Sequence, residues 1–297
     1  VLGALTRIFR QEDINFLVTN RIPRRYATRL MGWFSRIENP LLARASIQVW
    51  QAFAGNLRLE EAKKQRFDSL QDCFVRELRD GVRPIDADPD VLCSPCDAEV
   101  GAFGRVQDMQ LFQIKGLSYR LRDLVGDPEA AEKHRHSVFV TLRLKSSMYH
   151  RFHAPSDCRV TRVRSIAGDT WNVNPIALKR VERLFCRNAR AVIDLEVPFE
   201  DAHLTLVPVA AILVSGIKLR FLDDPLQLAD ACGSSLPCDA SFGKGEELGH
   251  FLSGSTVVVL ASGPFALCPN VVEGSTLRMG QPLLRRVSNG ITHGREQ

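Results

Sequence analysis

The spacing of apolar positions changes once along the chain, near residue 90. Before that point apolar residues recur at helical intervals. Asn39-Pro40 opens a segment in which Leu42, Ile47, Val49, Trp50 and Phe53 follow a helical period, and Gly55 stops it. A second helix is predicted from about Asp68, with Leu70, Phe74 and Leu78 on one face and Gly81 as its stop. A loop rich in Asp and Pro follows Val82-Arg83-Pro84-Ile85. Beyond it, short apolar runs at 138–144, 191–195, 204–206, 209–219 and 256–260 are punctuated by Gly, Pro, Asp and Asn, the pattern of strands joined by turns. One helix is predicted to interrupt them at 175–185, where Ile176, Leu178, Val181, Leu184 and Phe185 recur at roughly helical spacing. The expected fold is α+β: a helical region over residues 1–80, then a mostly antiparallel β domain over 81–297.

With 297 residues, 45% hydrophobic and 25% charged, the chain has the composition of an ordinary globular protein. That excludes a disordered tail, a collagen-like rod and a disulfide-stapled miniprotein, and it provides for a core large enough to hold a shaped site. The longest run without charge or His, 251–272, has the length to cross a bilayer. It contains Ser253, Gly254, Ser255, Ser262, Gly263, Pro264 and Asn270, so buried strands and turns are expected there instead. The first residue is Val, which leaves a targeting or anchoring segment upstream open.

Charge is unevenly spread. Residues 1–58 hold nine Arg against Glu12, Asp13 and Glu38, a net of +6, which leaves 30 basic and 31 acidic residues in the remainder. The same segment carries Phe9, Phe16, Tyr26, Trp33, Phe34, Trp50 and Phe53. Arg interleaved with aromatics on amphipathic helices suits an anionic membrane surface. A helical cap packed on the core with its Arg in water has the same pattern, and both readings stay open. Nucleic acid is not expected as a partner, because no stacking or groove-reading motif is present.

Eight cysteines are spread through the chain, which points to reduced thiols. Cys93-Ser94-Pro95-Cys96 is a CxxC, but residues 97–104 after it look like a strand broken by glycines, not the helix a redox pair needs. A zinc ribbon would need a second CxxC, and none follows. The spacing is read as coincidence, and no metal site is predicted.

Three places could carry chemistry. In Tyr149-His150-Arg151-Phe152-His153 the two histidines would share a face on a helical turn and point to opposite faces on a strand. Gly254-Ser255-Thr256 puts a glycine, free to adopt backbone conformations closed to other residues, directly before a hydroxyl. Asp97 sits in a turn after Ser94-Pro95-Cys96. Taken singly, each has an unremarkable explanation: a chance pair of surface histidines, a turn at a strand edge, a local hydrogen-bonding device. Together Asp97, His153 and Ser255 have the residue types of an orienting carboxylate, a base and a nucleophile, a constellation defined by geometry and not by chain order.

From about Phe74 to Leu284 the sequence resembles the phosphatidylserine decarboxylase family. The resemblance is carried by Phe74-Val75-Arg76-Glu77-Leu78 with Arg83-Pro84-Ile85, Ser94-Pro95-Cys96-Asp97, and Lys115-Gly116 with Tyr119-Arg120-Leu121 and Leu124. It continues in the Tyr149–His153 run, Val173-Asn174-Pro175 with Leu184-Phe185 and Asn188, and Glu247-Leu248-Gly249-His250-Phe251 ahead of Gly254-Ser255-Thr256. Each motif alone is weak; in this order and at these spacings they are specific. The resemblance implies a proenzyme that cuts itself between Gly254 and Ser255. Ser255 attacks the Gly254 carbonyl, His153 acts as base and Asp97 orients its imidazole. The ester then undergoes β-elimination and Ser255 becomes a pyruvoyl group, the implied cofactor. Its ketone forms a Schiff base with phosphatidylserine, and loss of CO2 leaves a carbon that a general acid protonates to give phosphatidylethanolamine. His150 is the candidate acid and His153 the alternative.

The implied partners are phosphatidylserine, an anionic membrane surface and the two halves of the cleaved chain, of 254 and 43 residues, held together; a homodimer is compatible with the family. The implied location is the mitochondrial inner membrane in a eukaryote or the cytoplasmic membrane in a bacterium. Ala98 stands where the family usually has Gly, Met148 where it has Asp and Ser253 where it commonly has Leu, and a Gly expected near Pro208 is absent. Other readings are a pyruvoyl decarboxylase of another amino acid or lipid headgroup, and a lipid-binding protein that keeps the fold without maturing.

Overall fold

A computed structural model describes residues 24–114, 117–211, 216–222, 235–252 and 255–287. The fold is α+β, and the helices are concentrated at the start. Helix α1 (Arg24–Ser35) carries Tyr26, Leu30 and Trp33 on one face, and all three point into solvent. Helix α2 (Pro40–Ala54) starts where the sequence predicts. The Asn39 side chain accepts from the Leu41 and Leu42 N–H groups, Pro40 fills a position that needs no donor, and Gly55 ends the helix at φ 84°. Its Ile47 face packs with Leu57, Ala62, Phe67 and Cys73 into a small cluster separate from the main core. Leu41, Val49 and Phe53 lie exposed on the other side.

Helix α3 (Leu70–Phe74) is much shorter than the expected helix ending at Gly81. Ser69 caps it, but the chain leaves helical geometry at Val75, and Leu78 instead forms a bridge with Ala62. The early exit frees the Val75 and Arg76 carbonyls, and the Arg151 guanidinium takes both.

The remainder is β structure. In order it runs β1 (Val91–Cys93), β2 (Ala98–Arg105), β3 (Gln110–Ile114), β4 (Leu117–Arg120), then the short helices α4 (Leu121–Val125) and α5 (Pro128–Lys133), β5 (Val138–Leu144), β6 (Arg151–His153) and β7 (Cys158–Ile166). Two helices, α6 (Pro175–Arg180) and α7 (Leu184–Arg187), replace the single helix expected at 175–185. Val181 is extended and Arg183 is left-handed at φ 53°, which breaks the run; Gln113 bridges the break, donating to the Leu178 and Val181 carbonyls and accepting from Leu184 N. Then come β8 (Arg190–Glu196), β9 (His203–Ala210), β10 (Ile217–Leu219), β11 (Ser235–Phe242), β12 (Glu247–Phe251), β13 (Ser255–Ser262), β14 (Phe265–Leu267), β15 (Thr276–Leu277) and β16 (Pro282–Arg286). The apolar run expected at 209–219 is not one strand: its start belongs to β9 and its end to β10.

Every strand pair is antiparallel. The main sheet has the order β11-β7-β8-β9-β13-β5-β2-β15, with smaller sheets β1-β16-β14 and β10-β12-β6 and the hairpin β3-β4. Strand β13 is buried on both faces, which is why Val257–Leu260 reads as an unbroken apolar run. Within the uncharged stretch 251–272, Ser255–Ser262 forms the core strand β13 and Phe265–Leu267 the small-sheet strand β14, and no described helix is long and apolar enough to cross a membrane. In the small sheet, β12 passes so close to its neighbours that a Cβ on Gly249 would collide with the Lys218 carbonyl and the Phe152 ring. Gly249→Ala is expected to destabilise the protein by about 1–3 kcal/mol through overpacking. Its thermal unfolding midpoint should fall below that of a surface Gly274→Ala control only if the close approach matters, since a Cβ at Gly274 meets nothing within 4 Å but carries a φ of 81°.

Candidate active site

The strand ends that flank two chain connections meet at one end of the sheets. One leaves β5 at Leu144, turns through 145–148 and enters β6. The other leaves β12 at Phe251 and enters β13 at Ser255. They are tied at both ends, by the Ser255–Leu144 rung and by Phe251 N–H donating to His150 O at 3.0 Å. Sequence-distant His150 and Ser255 are thereby brought to the same edge. Gly254, the other half of the expected cleavage site, lies outside the described residues.

His153 lies on β6 and His150 directly precedes that strand, so the two do not share a helical turn, and their rings have different partners. His150 is fully buried against Phe74, ring centroids 4.0 Å apart. Its Nδ1–H donates to Met148 O at 2.8 Å, which leaves Nε2 as the unprotonated nitrogen, buried and without a partner. Burial, and then the Arg76 charge, push its pKa down to about 3, so the ring is neutral at pH 7. Met148 takes part through a backbone carbonyl that any residue would supply.

His153 is also buried, and both of its nitrogens are occupied. Nδ1–H donates to Gly245 O at 2.9 Å and Nε2 accepts from the Tyr149 hydroxyl at 3.1 Å. Burial lowers its pKa, while the Gly245 carbonyl and the fields of Glu247 and Asp97 oppose the shift. Burial also raises the Tyr149 phenol, which stays protonated as the donor.

Asp97 ends the turn between β1 and β2. Arg83 grips it with Nε on Oδ1 at 2.9 Å and Nη2 on Oδ2 at 2.6 Å, and Met279 N–H adds a third bond at 2.9 Å. Arg83 Nη2 also reaches Glu61 at 2.7 Å. The direct hydrogen bond expected from His153 to Asp97 is not made. A guanidinium fork outcompetes a neutral imidazole N–H for a carboxylate, and Gly245 O takes that N–H instead. The two residues are held close by the backbone, His153 N–H donating to Pro95 O at 2.8 Å, and they interact through space.

Ser255 occupies the first rung of β13, between Leu144 and Ala210, fully buried, with its Oγ unpaired. Leaving a buried hydroxyl unsatisfied costs about 1–3 kcal/mol; Thr141, Ser165 and Thr256 share this state, and Ser255 differs from them in directly following Gly254 in the sequence. Among the described residues no cluster of three or more His, Cys, Asp or Glu is arranged to hold a metal, and Cys93 and Cys96 are free thiols whose pKa values burial pushes up.

Five further side chains build this site, and each lies inside a motif quoted above without a role assigned to it: Arg76, Arg83, Tyr149, Arg151 and Glu247. Arg151 holds Glu247 through two bonds of 2.9 and 2.7 Å while its other nitrogens bind the Val75 carbonyl. This clamp fixes β6 to β12 and to the end of α3. Burial alone would raise the Glu247 carboxyl; the His250 ring 3.6 Å away and the Arg151 charge reverse this and hold it at about 2. A folded-state value below the ordinary 4.5 means that the stabilisation is complete above that pH and is lost as pH falls toward about 2. Glu247→Gln should therefore lower the melting temperature at pH 7, and the gap to the parent protein should close between pH 4.5 and about 2; a gap that stays constant across that window would mean the clamp contributes nothing ionic.

Comparison with known proteins places these features in a family. Residues 70–285 match the family profile described as phosphatidylserine decarboxylase. A protein of Aliivibrio salmonicida named phosphatidylserine decarboxylase proenzyme is 34% identical over 274 residues, covering 88% of this chain and 93% of its own. Proteins of the same name from Acinetobacter baumannii and Anoxybacillus flavithermus are 31% identical over 260 residues (84% and 88% covered) and 33% identical over 222 residues (74% and 77% covered).

Proposed function

The chain belongs to the phosphatidylserine decarboxylase family, and on that premise we propose how its own residues make and serve the reactive group. It is a carboxy-lyase that converts phosphatidylserine to phosphatidylethanolamine and CO2. A pyruvoyl carbonyl at position 255 supplies the electron sink that protein side chains lack. The observation that carries this reading is the unpaired, fully buried Ser255 Oγ at the first residue of β13. A hydroxyl with no partner keeps its lone pairs for attack, and the dry surroundings exclude water as a competing nucleophile.

In maturation Ser255 Oγ attacks the carbonyl carbon of Gly254 and gives up its proton. The 254–255 amide becomes an ester. Elimination removes the Cα proton of residue 255 to a base, breaks the Cβ–Oγ bond and leaves a carboxylate on Gly254; the resulting enamine tautomerises to an imine, from which water releases ammonia and leaves the ketone. The products are chains of 254 and 43 residues. They stay together because β13 lies between β9 and β5, β15 pairs with β2 and β16 pairs with β1. His153 is the base that takes the Ser255 proton, with Asp97 acting on it through space and Tyr149 yielding Nε2 during the step. One observation favours a second reading: the Nε2 of His150 is unprotonated and free, whereas that of His153 is occupied. In that reading His150 takes the proton. In the decarboxylation itself His150 delivers a proton to the carbon that has lost its carboxylate; because its resting ring is neutral, Nε2 must first be loaded.

The exposed apolar stripes of α1 and α2 support membrane association, Tyr26, Leu30 and Trp33 on one helix and Leu41, Val49 and Phe53 on the other. We read the segment ahead of the β structure as the lipid-facing part, on the cytoplasmic membrane of a bacterium or the mitochondrial inner membrane of a eukaryote. The basic residues before Arg24, on which part of the electrostatic argument rests, lie outside the described residues.

Intact mass with a carbonyl-trapping reagent tests maturation. Wild type should give two chains, one blocked by a carbonyl, and Ser255→Ala should remain whole; efficient cleavage of Ser255→Ala would remove the nucleophile assignment. The histidine variants separate the two readings. If His153 is the base, His153→Ala stays whole while His150→Ala cleaves, gains its carbonyl and then turns over about 10²–10⁴-fold more slowly. The reverse cleavage pattern assigns the maturation step to His150. For docking, Leu30→Ser with Trp33→Ser should reduce sedimentation with phosphatidylserine-containing vesicles; undiminished binding would assign these faces another role.

A further inference from the structure

A cavity of about 300 Å³ opens beside the site, with Asp97 and Tyr149 in its walls but not His150, His153 or Ser255. Five cations line it, Arg58, Arg76, Arg83, Lys145 and Arg278, against the carboxylates Glu61 and Asp97. Four of the five have acidic partners. Arg83 bridges Asp97 and Glu61, Arg58 and Arg278 lie 3.4 and 3.9 Å from Glu61, and Lys145 pairs with Glu99.

Arg76 has none among the described residues. It is 4% exposed, and its guanidinium donates only to backbone carbonyls, to Leu57 at 2.8 Å and more weakly to Cys73, Ser147 and Met148 at 3.3–3.4 Å. Its Nε–H is buried with no partner at all. The fields of Asp97 and Glu61 reach it, but Arg83 already holds both carboxylates. A buried charge without a counter-charge is strongly unfavourable. Such a group in the wall of a cavity rich in cations is accounted for by a ligand that brings the negative charge.

We propose that this cavity is an anion site for the phosphodiester of the lipid substrate, with Arg76 as its buried anchor and Lys145 and Arg278 at its rim. The inference rests on the family reading above and adds the residues that recognise the headgroup. The substrate carries two anions, and the chemistry separates them. A guanidinium on the carboxylate would stabilise a charge that leaves as neutral CO2, which holds back the reaction. The phosphodiester is the same in substrate, transition state and product, so binding it lowers KM without opposing the chemical step. The cavity also adjoins the reacting groups through one atom: Met148 O accepts from Arg76 Nη2 at 3.4 Å and from His150 Nδ1 at 2.8 Å.

The test is calorimetric binding of glycerophosphoethanolamine, a soluble phosphodiester with no carboxylate, to the wild-type chain and to Ser255→Ala. The second protein does not depend on maturation, so a failed phosphate site is distinguishable from a failure to mature. Arg76→Gln should weaken binding at least about tenfold and raise KM for phosphatidylserine vesicles. Lys145→Gln with Arg278→Gln, whose side chains are 44% and 41% exposed, should fold normally, weaken binding and flatten its salt dependence. Unchanged affinity in folded Arg76→Gln overturns the proposal, and so does unchanged affinity in the double variant if Arg76→Gln does not fold. Inorganic phosphate binding as tightly as the diester would reassign the cavity to free phosphate, and serine or acetate competing equally well would reassign it to a carboxylate; either result overturns the assignment to the lipid phosphodiester.

Discussion

Strand β13 is paired on both sides from its first residue, Ser255 with Leu144 of β5 and with Ala210 of β9, and the rungs continue through Ala261 on both sides. Most of the architecture around the site follows from that double ladder. It holds residue 255 at a fixed, buried position. It makes residues 255–287 a structural component of the sheets and not an appendage, because their strands interleave with those that precede them in the chain. A cut ahead of Ser255 would remove one covalent bond and leave the ladder hydrogen bonds in place.

Three of the buried guanidiniums around this sheet are held by carboxylates: Arg83 by Asp97 and Glu61, Arg151 by Glu247, and Arg164 by Asp127 and Asp194. Arg190 is satisfied instead by the backbone carbonyls of Asp123, Leu124, Cys186 and Asn188. The carboxylate pairs contribute modestly to stability, but breaking one by removing a single partner costs about 3–5 kcal/mol. They serve mainly to fix geometry. The pairing also sets the two histidines apart. His153 feels Glu247 and Asp97, which oppose the effect of burial, as well as Arg151, which reinforces it, whereas the only charge that reaches His150 among the described residues is Arg76, which reinforces it. The same sequence motif thus contains two buried imidazoles in different electrostatic surroundings. Arg76, like Arg190, has no carboxylate partner among the described residues, but its Nε–H is also unpaired and it lies in the cavity wall where an anionic substrate would be received.

The local sequence determined the elements whose cause is local. Asn39-Pro40 and Gly55 bound α2 because capping and glycine stops act within a few residues, and the apolar run at 138–144 became β5 at those bounds. The motif order identified the family, and with it Asp97, His150, His153 and Ser255 as the residues to examine. Elements whose extent depends on partners were misjudged. Helix α3 stops at Phe74 because Arg151, 76 residues away from Val75, takes the freed carbonyls, and the 175–185 helix breaks where Gln113 can bridge the gap. The hydrogen-bond partners within the site were also decided by tertiary structure alone. Nothing local indicates that Arg83 will hold Asp97, that Gly245 O will take the imidazole proton of His153, or that Arg76 will be buried without a carboxylate. Each of these results from competition among groups brought together by long-range strand pairing, and a sequence pattern names the competitors without ranking them.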